Sequence, residues 1–399
     1  MNPFNGGTEN SASYLEKLST EDIWMIASLC DHSTLVALAS TSSHMRFKVL
    51  PRIHKKTRFV GNQDLLERQF TDFLGHQTPI NPRVYSTIRK SSATISVFKK
   101  PEENLLWAGL YASANSRPIL PETRRTLPIF EALQAMPNLR SLSLHLKFLT
   151  QLQELELYDS MQEAGHTEIQ YLRIDSSMRV MEKLLGSCPA LTTLDIDHAV
   201  KLEQLQYIPP SVKRLAVTLH LETKNPMVWI PSLCVENIRH IIRLNSGLEE
   251  LILRDSEKNF GPFGPSAIKD GRGLDQIFKD TFSEAAEELS QLPNLKRLAI
   301  CVWKSVPSQI FDHNQRFLQE KHEYWQDWYQ DCIRSLGEAL PHLQHICILC
   351  DFPFFFWQGT RQMPEGTLFT NQIMKGERQR FPGTFERYSL ELGLPMAQW

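Results

Sequence analysis

Apolar residues recur along this chain in a short pattern, L-x-x-L-x-L, with Ile or Val in place of some leucines. It is carried by Leu139, Leu142 and Leu144 in PNLRSLSLH, by Leu152, Leu155 and Leu157 in TQLQELELY, and by Ile169, Leu172 and Ile174 in EIQYLRID. Leu191, Leu194 and Ile196 in LTTLDIDHA follow, then Val212, Leu215 and Val217 in SVKRLAVT and Leu248, Leu251 and Leu253 in GLEELILR. The last copies are Leu295, Leu298 and Ile300 in PNLKRLAIC and Leu343, Ile346 and Ile348 in PHLQHICIL. Residues two apart on a strand share a face, so each copy predicts a short strand with its last two apolar side chains turned to one side. The middle positions 142, 155, 172, 194, 215, 251, 298 and 346 are spaced by 13, 17, 22, 21, 36, 47 and 48 residues, so the period lengthens toward the C-terminus.

Between these strands, 180–188, 233–245, 277–292 and 308–340 place apolar residues at helical spacing. Residues 13–53 predict three short helices, with Ser19-x-x-Asp22 as a capping box, Asp31 or Ser33 opening the second helix, and Pro51 closing the set. Leu18, Ile23, Ile26, Leu29, Leu35 and Leu38 are too dense for so small a unit to bury alone, and some are expected to serve a partner. Residues 54–126 read as a spacer with a helix over 64–76 and a strand over 93–98, and the Gly/Pro-rich stretch 261–273 reads as a projecting loop.

Composition narrows the function classes. Of 399 residues, 42% are apolar and 22% charged, the balance of an ordinary globular chain. A net charge of -2 supplies no basic excess for phosphates, so nucleic acid is not an expected partner. The polar start and the interrupted apolar runs predict neither secretion nor a membrane span. The seven scattered cysteines fit a reducing compartment, so a cytoplasmic or nuclear location is expected.

No motif for catalysis emerges. Asp195-x-Asp197-His198 is explained by strand phase, and no further oxygen ligands stand near it in sequence. His342, His345, Cys347 and Cys350 imitate a zinc spacing, yet a strand turns Cys347 and Cys350 to opposite faces. His322-Glu323 lacks the second histidine of H-E-x-x-H. No metal, cofactor or enzymatic activity is therefore expected.

Two resemblances follow from these patterns. Residues 135–351 resemble leucine-rich repeats, although Lys147, Ser160, Ser177, Ala199, His220, Ser256, Trp303 and Asp351 stand where the regular form carries asparagine. The spacing from Leu18 through Glu21, Ile23, Ile26, Leu29, Leu35 and Leu38 to Thr41-Ser42 resembles the F-box, with Ser19 where that family usually has proline. The resemblances imply an α/β fold: an irregular solenoid with a curved parallel sheet and convex helices, preceded by a three-helix F-box-like unit. The expected layout is a tail over 1–12, the F-box-like motif over 13–53, the spacer over 54–126, the repeat arc over 127–351 and a cap or tail over 352–399. They also imply a non-catalytic substrate receptor of an SCF-type ubiquitin ligase. The motif would grip the adaptor subunit, and through it cullin and RING subunits, while the arc holds a protein substrate. A repeat scaffold that recruits no ligase is the alternative.

On such an arc, strand phase turns Glu154, Glu156, Tyr158, Tyr171, Arg173, Asp175, Asp195 and Asp197 to the substrate face in the first half, and Ile252, Arg254 and Arg297 in the second. The acidic residues are expected to merge into one negative patch rimmed by Tyr158 and Tyr171, and an apolar or acidic end of the substrate to meet Ile252, Arg254 and Arg297.

Overall fold

Ser19 and Asp31 start the first two helices by accepting hydrogen bonds from the backbone N–H groups of Asp22 and Thr34. The computed structural model describes residues 14–15, 17–53, 56–75, 92–97, 128–136, 139–161, 168–219, 233–255, 274–302, 319–350, 355–361 and 368–374. The chain divides into two units, Met1–Arg140 and Ser141–Trp399. The N-terminal tail, the stretch 261–273 and residues 308–318 lie outside the described residues.

In the first unit, α1 (Thr20–Leu29), α2 (His32–Thr41) and α3 (Ser43–Ile53) pack around Ile23, Ala27, Leu35, Met45 and Val49, with Leu18, Cys30, Leu38 and Ile53 at the margin. Pro51 does not close this set, because α3 continues to Ile53. The strand β1 (Lys56–Gly61), the helix α4 (Gln63–Gly75) and the strand β2 (Ser92–Val97) follow, with β1 and β2 parallel and Phe59 packed on Phe70 and Phe73. A short α5 (Ile129–Gln134) comes last.

The second unit is α/β. Its strands are β3 (Ser141–His145), β4 (Tyr171–Asp175), β5 (Thr193–Val200), β6 (Arg214–Leu219), β7 (Glu250–Asp255), β8 (Arg297–Val302) and β9 (His345–Cys350). These seven pair in parallel, each with its neighbour in sequence. The sheet continues antiparallel through β10 (Phe355–Arg361) and β11 (Leu368–Met374).

Repetition extends to single hydrogen bonds. The carbonyls of Gln170, Thr192, Lys213, Glu249 and Lys296, each just before a strand, all accept two consecutive N–H groups from the start of the next strand. Each predicted apolar pair, from Leu142 and Leu144 to Ile346 and Ile348, is buried, apart from the pair in TQLQELELY. The helices α6 (Gln151–Ser160), α7 (Met178–Gly186), α8 (Val235–Leu244), α9 (Leu274–Leu289) and α10 (Gln319–Ala339), with a 3₁₀ turn (Leu202–Tyr207), form successive neighbours. Their buried residues, such as Val180, Leu184, Ile238, Ile241, Ala285, Leu289, Ile333 and Leu336, recur three or four apart.

TQLQELELY is a helix rather than the second repeat strand. Thr150 accepts from the Gln153 N–H at 3.3 Å, and the Gln153 side chain accepts from the Thr150 N–H at 3.0 Å, a complete capping box that starts α6. Leu157 is buried while Leu152 and Leu155 are exposed. Glu154, Glu156 and Tyr158 therefore do not lie on the sheet.

Candidate functional site

Strand register arranges the sheet face opposite the leucine pairs into rows. Ser143, Arg173, Asp195, Ala216, Ile252, Ala299 and Cys347 form the middle row, one residue per strand from β3 to β9. All seven are buried, down to 1% exposure at Ala299 and Cys347. Ile252 in this row and Arg254, two residues further along β7, are both buried rather than open to solvent as expected. The row at the strand starts, Ser141, Tyr171, Thr193, Arg214, Glu250, Arg297 and His345, is half-exposed apart from Thr193 and Glu250.

A four-residue ion-pair network closes the middle of this face. Arg173 Nε lies 3.4 Å from Asp195 Oδ2, and Arg173 Nη2 donates to Asp197 Oδ2 at 3.0 Å. Arg254 Nη1 donates to Asp197 Oδ1 at 2.9 Å, and its Nη2 pairs with Asp195 and donates to the Ile196 carbonyl at 3.2 Å. Arg254 stands on β7 and reaches β5 past β6, whose residue beside Asp195 is the small Ala216. A register shift between Ile196 and Ala199 makes a bulge that carries Asp197 and His198. Burial opposes the charge of Arg173, but Asp195 and Asp197 more than offset it and hold its pKa above the ordinary value. Burial likewise pushes Asp197 upward, but Arg254 and Arg173 outweigh it and leave its carboxyl below the usual range.

Among the described residues, the expected negative patch does not form. Asp195 and Asp197 are matched by two guanidinium groups, and Glu154 and Glu156 sit on α6. The reason is register: it sets Arg173 beside Asp195, the arrangement that cross-strand pairs favour.

The same bulge gathers His145, Asp175 and Asp197, whose ligand atoms lie within 4.8 Å of one another. Burial and Arg173 lower the His145 pKa, while burial and Asp197 raise that of Asp175. A divalent cation here would face the two guanidinium groups already bound to Asp197, so the triplet is better matched to proton sharing than to metal binding. Tyr171 is pushed above the usual tyrosine range by burial and Asp195, and His198 is pushed below the usual histidine range by burial. Burial raises the Cys188 thiol to about 12 and the Cys234 thiol to about 11, which leaves neither as a thiolate nucleophile near neutral pH.

In the first unit, the residues expected to bind a partner divide between core and surface. Ile23 and Leu35 are buried in the unit's own core, and Leu18 and Leu38 lie at its margin. Ile26 and Leu29 face outward, joined by Met25 on α1 and Val36 on α2; Leu29 is 87% exposed and Met25 64%. Trp24 is partly exposed, and its Nε1 donates to the Lys48 carbonyl at 2.9 Å.

Sequence reasoning missed that His145 and Asp175 meet Asp197, because no pattern announced the bulge. The Arg173–Asp195 pairing was findable by placing strands side by side at their middle leucines, which also sets Glu250 between Arg214 and Arg297. Among the described residues, no helix is long and apolar enough to cross a membrane. Compared with protein-family models and with curated proteins, the chain matches none.

Proposed function

We propose that this chain is a non-catalytic substrate receptor of an SCF-type ubiquitin ligase, working in the cytoplasm or nucleus. In this reading the first three helices are an F-box-like unit that docks on the adaptor. The sequential parallel strands are leucine-rich repeats stacked as an irregular solenoid that holds a protein substrate. Its mechanism is proximity: tethering raises the effective concentration of substrate lysines near a charged conjugating enzyme, so this chain needs neither acid, base nor nucleophile.

The observation that carries the reading is the set Met25, Ile26 and Leu29 on α1, left exposed although the unit has a filled core of its own. Large exposed apolar side chains grouped on a short helix are the usual mark of a docking surface. Purifying the tagged full chain from cells tests it. Adaptor, cullin and RING subunits are expected in the eluate, and their absence would remove the ligase from the account.

A scaffold that recruits no ligase is the second reading. It is favoured by the self-neutralised middle of the sheet face, where Arg173 and Arg254 balance the charges of Asp195 and Asp197. A partner protein with no ubiquitin-dependent turnover would select it.

A further inference from the structure

The edge from which β6, β7 and β8 start carries two rows in which one carboxylate stands between two cations. In the first, Glu249 Oε1 lies 3.0 Å from Lys213 Nζ, and its Oε2 lies 3.9 Å from Lys296 Nζ. In the second, Glu250 Oε1 lies 3.5 Å from Arg214 Nε and accepts from Arg297 Nη1 at 2.9 Å. Among the described residues, these two rows hold four cations and two carboxylates.

The rows are electrostatically joined. Glu249 is held low first by its hydrogen bond from Lys213, with Lys296 and Arg214 adding to the effect. Glu250 is raised first by burial, with Glu249 adding to that effect against Arg214 and Arg297.

Accessibility separates the signs within the second row. The Glu250 side chain is 7% exposed, whereas those of Arg214 and Arg297 are 35% and 28% exposed, and Lys213 and Lys296 are more exposed still. Arg214 approaches Glu250 most closely through Nε, and its two terminal nitrogens donate no hydrogen bond among the described residues. That end of a guanidinium is the fork that receives a carboxylate in two parallel hydrogen bonds. The middle of the same face is buried, so this edge is where an incoming chain meets charge.

We infer that this edge docks an acidic, Asp/Glu-bearing peptide segment of a partner protein, with the free end of Arg214 clamping one carboxylate and Lys213, Lys296 and Arg297 supplying attraction. This deepens the substrate-receptor reading and rests on it for the partner's role. Arg214 Nε and Arg297 Nη1 converge on the same Glu250 Oε1, at 3.5 and 2.9 Å, so the two guanidinium groups lie side by side. His345, next in the row, is held below its ordinary pKa by burial and by Arg297. It is neutral near neutral pH and adds a cation to the edge as pH falls.

The test is selection of a displayed random-peptide library on the purified full chain. The recovered sequences are expected to be enriched in Asp and Glu, and a synthetic copy of one to lose binding as salt rises. Replacing its acids by Asn and Gln should lower affinity about tenfold or more. Arg214→Gln keeps the bond between Glu250 and Arg297 and should weaken capture about tenfold with an unchanged melting temperature. A selection without acidic enrichment, or equal capture by Arg214→Gln and the native chain, overturns the inference. Adaptor capture is scored on the same preparations. Acidic peptides bound without adaptor would leave this site standing and remove the ligase reading; adaptor bound without acidic selection would do the reverse.

Discussion

Two groups of arginines and carboxylates lie on one face of one sheet, and they do opposite things. Around β5, Arg173 and Arg254 enclose Asp195 and share Asp197, so two positive charges meet two negative ones, with Arg173, Arg254 and Asp195 out of water and Asp197 at the margin. Around β7, Glu250 is shared by Arg214 and Arg297, and both cations keep contact with solvent. Residue type does not separate the two groups. What separates them is the ratio of cations to carboxylates and the depth at which each sits. A matched buried network locks strands together, whereas an unmatched half-exposed one retains charge for a ligand.

The largest effect is expected at the centre of the buried group. Asp195→Ala leaves two arginines beside Asp197 alone and should cost about 3–5 kcal/mol, read from the urea midpoint of the full chain. A loss under about 1 kcal/mol would place these residues in the class of ordinary surface pairs. Ala216→Leu tests the crossing of β6 separately. Added bulk where Arg254 passes should destabilise by about 1–3 kcal/mol, and a neutral result would mean that the guanidinium takes another path.

Acidity should distinguish the groups next. Asp197 has a depressed pKa, so its stabilising contribution is present above the ordinary carboxylate range and is lost as pH falls through the depressed value. Glu250 and Asp175 have raised values, so acidification relieves a cost at those positions. His145, His198 and His345 lie below the ordinary 6.5, so the unfolded chain takes up protons first and stability declines as pH falls below 6.5. His145→Gln should make the melting temperature less sensitive between neutral pH and pH 5, and an unchanged slope would assign the decline elsewhere. Arg214→Gln belongs at the small end, within about 0.5 kcal/mol of the native chain. Smallest of all, chelator should leave the melting temperature unmoved, because the guanidinium groups on Asp197 oppose a cation at His145 and Asp175.

The sequence pattern was most legible where one physical demand determined it. The leucine pairs of seven strands follow from period two on a buried face, and helices α7 to α9 follow from their three-and-four spacing. LQELEL over 152–157 and LTTLDI over 191–196 share the apolar pattern yet fold differently. The first has a capping box at Thr150 and Gln153, and straight-chain Gln and Glu between its leucines. The second has two threonines, and it is preceded by Pro189. Those signals were local and readable. Pairing of Arg254 with Asp195 was not, because it depends on which strands lie two apart and on the small residue between them. The division of Ile23 from Ile26 was hidden as well, since helix period alone does not say which apolar face meets the other helices.

Direct binding of purified adaptor to the purified full chain tests the central claim. The account predicts saturable binding that Ile26→Asp with Leu29→Asp abolishes at an unchanged melting temperature, since both side chains lie outside the core formed by Ile23, Ala27, Leu35, Met45 and Val49. No binding by the native chain, or equal binding by the double variant, would contradict it.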